Sequence, residues 1–173
     1  MKNRKLKAAI RDIPDFPQKG VLFKDITPIL GDPKLFKKAV AVLCKRHPRG
    51  SIAKVAAVDA RGFIFGAAVA MKLGAGFIPV RKKGKLPFNT IEESYNLEYG
   101  SATLAMHVDA VKPGENILIV DDLLATGGTA AATAAMVEKL GGKIVEIAFL
   151  IELGAFKGRD KLTKYPVFSA IVC

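Results

Sequence analysis

Cysteine is scarce in this chain: Cys44 and Cys173 are the only two, and they lie far apart. No disulfide framework and no CxxC metal site can be built from them. Histidine is as scarce, and His47 and His107 alone offer no basis for a structural zinc site. Long hydrophobic runs are also missing. The longest apolar stretch, around 63–71, is about half of a membrane span. The basic N-terminus leads only to Ala8-Ala9-Ile10 before Arg11 and Asp12, too short for the hydrophobic region of a signal peptide. No internal repeat, low-complexity tract or Gly/Ser/Pro-rich linker divides the sequence. Together these absences predict a soluble, cytoplasmic chain with no membrane partner.

What is present fits one domain. The chain has 173 residues, 50% of them hydrophobic, enough for an ordinary core. Its 27 Lys and Arg outnumber 16 Asp and Glu, for a formal charge of +11. That balance predicts polyanionic partners without choosing among nucleic acid, phosphorylated metabolites and an anionic surface.

The hydrophobic pattern sets out the elements. Residues 5–13 read as a short helix carrying Leu6, Ile10 and Ile13, stopped by Pro14 and Pro17. Asp32-Pro33 starts a helix whose apolar face is Leu35, Phe36, Ala39, Val40 and Leu43, with Pro48 as its stop. After that the punctuation is regular. Strands are expected at 52–58, 77–80, 97–108, 117–120, 143–152 and 167–172, with helices at 63–73 and 129–140. The polar stretch 81–96 is long for a structureless connection and reads as functional. Strand–helix–strand alternation with nearly continuous apolar strands predicts an α/β fold, with a mostly parallel central sheet flanked by helices.

The most informative segment follows the strand at 117–120. Two acids, Asp121 and Asp122, come first. Then Ala125-Thr126-Gly127-Gly128-Thr129 opens a helix. Acids at the end of a buried strand sit where open α/β sheets bind ligands. Glycines let several backbone N–H groups converge on one anion, and a helix N-terminus adds positive partial charge. Carboxylates followed by such a cradle suit a ligand with sugar hydroxyls beside a phosphate. The competing phosphate motifs are absent: Gly74-Ala75-Gly76 lacks a third glycine, and no GxxxxGK[ST] occurs.

This segment closely resembles the 5-phosphoribosyl-1-pyrophosphate (PRPP) motif of the phosphoribosyltransferases. Further blocks resemble the adenine-specific family, type I in fold: Asp15-Phe16-Pro17 with 20–28, Asp59-Ala60-Arg61-Gly62-Phe63-Ile64-Phe65-Gly66, 81–87 and 94–100. The resemblance implies transfer of the phosphoribosyl group of PRPP to adenine, with magnesium held mainly by PRPP, pyrophosphate and water and by no direct protein ligand. It also implies a homodimer, an N-terminal hood at 1–33 and a flexible lid at 81–100. By resemblance, Asp121 and Asp122 bind the ribose hydroxyls and Ala125, Thr126, Gly127, Gly128 and Thr129 the 5′-phosphate. Asp59 and Ala60 form a PRPP-side turn, often cis in this family, and Arg61 contacts pyrophosphate and base. Arg81 and Lys85 resemble residues that reach pyrophosphate from the neighbouring subunit. Glu98 matches the family's general acid–base residue near the purine, with Tyr99 beside it. Phe23 and Leu123 would sandwich the base, and the backbone of Leu22 and Lys24 would read its edge.

Plainer readings stand beside these. Taken alone, Phe23 is a core residue, Glu98 a solvated carboxylate, Tyr95 and Tyr99 packing residues, and 81–85 a solvated basic loop. The rivals are a phosphoribosyltransferase for hypoxanthine, guanine or xanthine, and a nucleic-acid-binding regulator on the same fold. The 20–28 block argues against the first. Against the second stand the presence of Arg61, Arg81, Lys85 and Glu98 and the lack of an RNA-binding motif. No nucleic-acid partner is therefore expected, and most of the excess charge has no assigned ligand.

Overall fold

The computed structural model of the protein describes residues 3–96 and 101–173. They form two compact units, one ending at Val42 and the other running from Leu43 to Cys173.

The first unit contains α1 (Arg4–Ala8), a hairpin of β1 (Arg11–Pro14) and β2 (Leu22–Asp25), α2 (Thr27–Gly31) and most of α3 (Pro33–Cys44). Leu6, Ile26, Ile29, Ala39 and Val40 are its buried residues. The helix expected at 5–13 stops early. Ile13 instead pairs with Phe23 in the antiparallel ladder, and Arg11 with Asp25. Residues eight to fourteen positions apart supply that pairing, and a local helical spacing cannot anticipate it. α3 begins where Asp32-Pro33 predicted. The Asp32 carboxylate accepts from the backbone N–H groups of Lys34 (2.7 Å) and Leu35 (3.1 Å), capping the first turn. It ends at Cys44, short of Pro48.

The second unit is a seven-stranded sheet in the order β5-β6-β4-β3-β7-β8-β9. Its strands are β3 (Lys54–Val58), β4 (Gly76–Lys82), β5 (Thr90–Asn96), β6 (Ser101–His107), β7 (Asn116–Leu124), β8 (Lys143–Glu152) and β9 (Val167–Val172). Five of them run parallel, while β5 and β6 form an antiparallel hairpin at one side. Helix α4 (Arg61–Leu73) follows β3, and α5 (Gly128–Lys139) follows β7. Val55, Ala56, Ala57, Ile117, Leu118, Ile119 and Val120 are all but inaccessible, as expected for strands covered on both faces.

Two expectations about this unit need correcting. The stretch 81–96 is no long loop, because β4 runs to Lys82 and 90–96 is the edge strand β5. Its polar residues suit an edge with one solvated face. Strand β7 also does not end at Val120. Its ladder with β3 stops there, at Ala57↔Val120, but the ladder with β8 continues to Leu124↔Glu152. Asp121 and Asp122 therefore sit on a strand that one neighbour has already left.

That departure locates a crevice. The crossover through α4 carries β3 to β4 on one side, and the crossover through α5 carries β7 to β8 on the other. The direction of winding reverses between β3 and β7, and ligands of open α/β sheets bind at such a reversal, beyond the carboxyl ends of the strands.

Candidate active site

Two connections flank the crevice: 59–62 after β3 and 125–128 after β7. In the first, the Asp59–Ala60 peptide is cis. Arg61 opens α4 there and reaches across to Asp122. Its Nε donates to Asp122 Oδ2 at 2.5 Å, and Nη2 contacts the same oxygen. Asp122 is buried, so its carboxylate is matched by a guanidinium rather than by water.

Asp121 lives in a different setting. Its Oδ1 accepts the backbone N–H of Asp122 at 2.8 Å. Burial, then the neighbouring Asp122 carboxylate, push its pKa well above the usual carboxylate range. Two adjacent acids thus differ: one is spoken for by Arg61, and the other lines an open cavity.

That cavity has a volume of about 170 Å³ and is lined by Asp121, Leu123, Ala125, Thr126, Gly127 and Thr129, with Phe149 and others from the strands beneath. Gly127 caps α5 with φ +77°, a conformation that side chains disfavour. The first turn of α5 then presents its N–H groups, as an anion cradle requires. Sequence reasoning missed what lies behind this loop. Gly158, in a short 3-10 turn (Gly158–Lys161), is buried against it, and a methyl group there would overlap the Ala125 carbonyl oxygen. Arg159 fixes that turn through two 2.8 Å bonds to Glu152 and one of 2.9 Å to the Val167 carbonyl. No local motif announces Gly158, because 31 positions separate it from Gly127 and only the fold joins them.

The basic residues are arranged on side chains. Arg81, at the end of β4, donates from Nε to Asp59 at 2.8 Å and from Nη1 to the Lys85 carbonyl at 2.9 Å. The Lys85 side chain is exposed. The structure therefore joins Arg61 to Asp122 and Arg81 to Asp59, and gathers Asp121, Leu123, Ala125, Thr126, Gly127 and Thr129 around one cavity. Gly128 lines a second cavity on the far side of the first turn of α5.

Three expected base-binding residues belong to the first unit, on β2. Leu22 is half-exposed, and Phe23 meets Phe16 edge to face with ring centroids 5.1 Å apart. Lys24 Nζ bonds Asp12 at 2.7 Å. Glu98 and Tyr99 lie outside the described residues. Among the described residues, no group of three or more His, Cys, Asp or Glu side chains could hold a metal ion. Among the same residues, no helix is long and apolar enough to cross a membrane.

Comparison with known proteins agrees with this geometry. The family model described as "Phosphoribosyl transferase domain" matches residues 29–172. An adenine phosphoribosyltransferase of Christiangramia forsetii is 55% identical over 166 residues, covering 96% of this chain and 97% of its own. A crystal structure of adenine phosphoribosyltransferase from Rhodothermus marinus superposes with a TM-score of 0.94 at 51% identity, covering 98% of this chain and 97% of that one. The Saccharomyces cerevisiae enzyme, crystallised with adenine and an imino-altritol bisphosphate, gives a TM-score of 0.90 at 42% identity, with 96% of each chain covered.

Proposed function

The chain belongs to the phosphoribosyltransferase family, and from that premise we propose that it is an adenine phosphoribosyltransferase, converting adenine and PRPP to AMP and pyrophosphate. One observation carries the reading: a carboxylate, a main-chain anion cradle and a helix N-terminus line one cavity at the reversal of the sheet. It suits a sugar phosphate, with Asp121 and Asp122 on the ribose hydroxyls and 125–129 on the 5′-phosphate.

In the reaction the C1–O bond to pyrophosphate breaks, a C1–N bond to the base forms, and the base loses a proton. The transition state is oxocarbenium-like, so positive charge develops on the sugar while negative charge leaves with the diphosphate. Arg61, Arg81 and Lys85 take the diphosphate. Because both arginines already hold carboxylates, diphosphate binding exchanges one set of oxygens for another. In this reading Glu98 handles the proton, a role typically worth about 10²–10⁴-fold. Phe23 and Leu123 hold the base, and the backbone of Leu22 and Lys24 reads its edge. Residues 1–33 act as the hood of a single domain, and 81–100 as its lid.

PRPP enters as its magnesium complex. With Asp122 already paired to Arg61, the cation would be ligated mostly by diphosphate and water. The working form is a cytoplasmic homodimer. Its support is that α4 leaves the large apolar side chains Ile64 and Met71 exposed.

The test is incubation with PRPP, magnesium and each purine in turn, following nucleotide formation. AMP should form from adenine. Reaction with hypoxanthine or guanine but not with adenine would overturn the substrate assignment.

A further inference from the structure

Tyr95 was expected only to pack, and its ring does lie against the core of the sheet. Its hydroxyl does something more. Thr129 Oγ1 donates to Tyr95 Oη at 3.1 Å, a bond between the edge strand β5 and the first turn of α5. The two residues face different cavities. Thr129 lines the one assigned to the sugar phosphate, and Tyr95 lines a second of about 250 Å³ with Gly128, Ala131 and Lys161. Tyr95 thus supports the phosphate loop from behind and stays out of the ligand's cavity. Its backbone is held in turn by the ladder to β6, at Tyr95↔Ala102.

A threonine hydroxyl has one proton to donate and lone pairs to accept. Here the proton is spent on Tyr95. When a phosphate occupies the cavity, the charge-assisted bond to the anion is the stronger use of that proton. The Tyr95 hydroxyl can then rotate and donate back to Thr129 Oγ1 without movement of any heavier atom. The result is a chain from phenol to threonine to phosphate, in which each bond polarises the next. Without the phenol hydroxyl, the threonine is free to turn and bond a carbonyl of the preceding loop, three or four residues back.

We propose that Tyr95 is a positioning residue for the 5′-phosphate, orienting the Thr129 hydroxyl by donating to it once the ligand is bound. This rests on the assignment of 125–129 to the phosphate. Nothing in the sequence singled Tyr95 out, because its partner lies 34 positions away.

The experiment is a double-mutant cycle on the full chain, with Tyr95→Phe, Thr129→Val and the pair. It is read by calorimetric binding of ribose 5-phosphate and by the kinetics of AMP formation. Tyr95→Phe should weaken ribose 5-phosphate and raise the PRPP KM by about two- to tenfold, the worth of one such bond. The KM for adenine and kcat should stay within about twofold, and adding Tyr95→Phe to Thr129→Val should cost nothing further. Unchanged binding by Tyr95→Phe, or losses that multiply in the pair, would overturn the inference and leave the phosphate assignment standing. So would a KM for adenine that rises in proportion, since that marks a general structural role. A parent protein that binds no ribose 5-phosphate would overturn the phosphate assignment, and the inference with it.

Discussion

The two anion-facing ends of the candidate site are built on opposite plans. At 125–129 the chain offers main-chain N–H groups at a helix start, and another stretch of main chain at Gly158 presses against it from behind. At 81–85 it offers exposed side chains, with Arg81 held by one carboxylate and one carbonyl. The first end is shaped before any ligand arrives. The second has its arginine already paired, and that residue must exchange partners. The contrast teaches that one polyanion can be gripped by shape at one end and by competition at the other, and that the two grips should fail differently.

The largest expected effect comes from spoiling the shape. A methyl group in Gly158→Ala collides with the Ala125 carbonyl oxygen, a main-chain atom that cannot step aside cheaply. Overpacking of this kind costs roughly 1–3 kcal/mol. Taken wholly from substrate binding, the upper figure lowers kcat/KM for PRPP by about a hundredfold. Gly31→Ala, with open space around it, is the control and should leave activity unchanged. Equal kinetics for the two variants would show that the main-chain backing does not shape the cradle.

The competitive end should respond less, and through binding alone. Arg81→Ala removes a partly exposed ion pair worth about 0.2–1 kcal/mol, so the thermal midpoint should fall by no more than about 4 °C. The KM for PRPP should rise about tenfold, as a lost bond to a charged group implies. A large drop in the midpoint with KM unchanged would make Arg81 a structural residue and dissolve the contrast.

Smallest is the effect of Asp121→Asn on stability. The folded chain holds the Asp121 proton more tightly than the unfolded chain does, because burial and the Asp122 carboxylate raise its pKa. The stabilisation from that proton is complete below about pH 4, where an unfolded aspartate is protonated too. It is lost as pH rises through the folded-state pKa. Asparagine does not titrate. The variant should therefore melt above the parent at pH 8, with the gap closing towards pH 4. The same substitution should weaken PRPP. A gap that widens on acidification would reverse the assigned cause.

Where local chemistry decides the structure, the sequence was readable. The Asp32 cap, the apolar run through 143–152 and the order of acids, glycines and threonines after 117–120 each specify their element within a few residues. Where distant pairing decides, it was not. Ile13 joins a strand because Phe23 is opposite it, and 90–96 extends because β6 offers an edge. The acids stay on β7 because β8 continues past the point where β3 stops. In the site, the cradle was legible and its support was not, since Gly158 and Tyr95 meet it only after the chain has folded. The roles of Phe23 and Glu98 came from family resemblance, for neither residue carries a local pattern that distinguishes a base platform or a proton carrier from ordinary packing or a solvated acid.

Gly62, in the first turn of α4, sits where a Cβ would lie 2.6 Å from Asp121 Oδ1. The ribose-side carboxylate thus occupies room that the other connection leaves for it. Positions 62 and 121 consequently share one inheritance: a lineage that placed a side chain at 62 would have to shorten or redirect residue 121 in the same step. A side chain at 62 should not persist beside the aspartate.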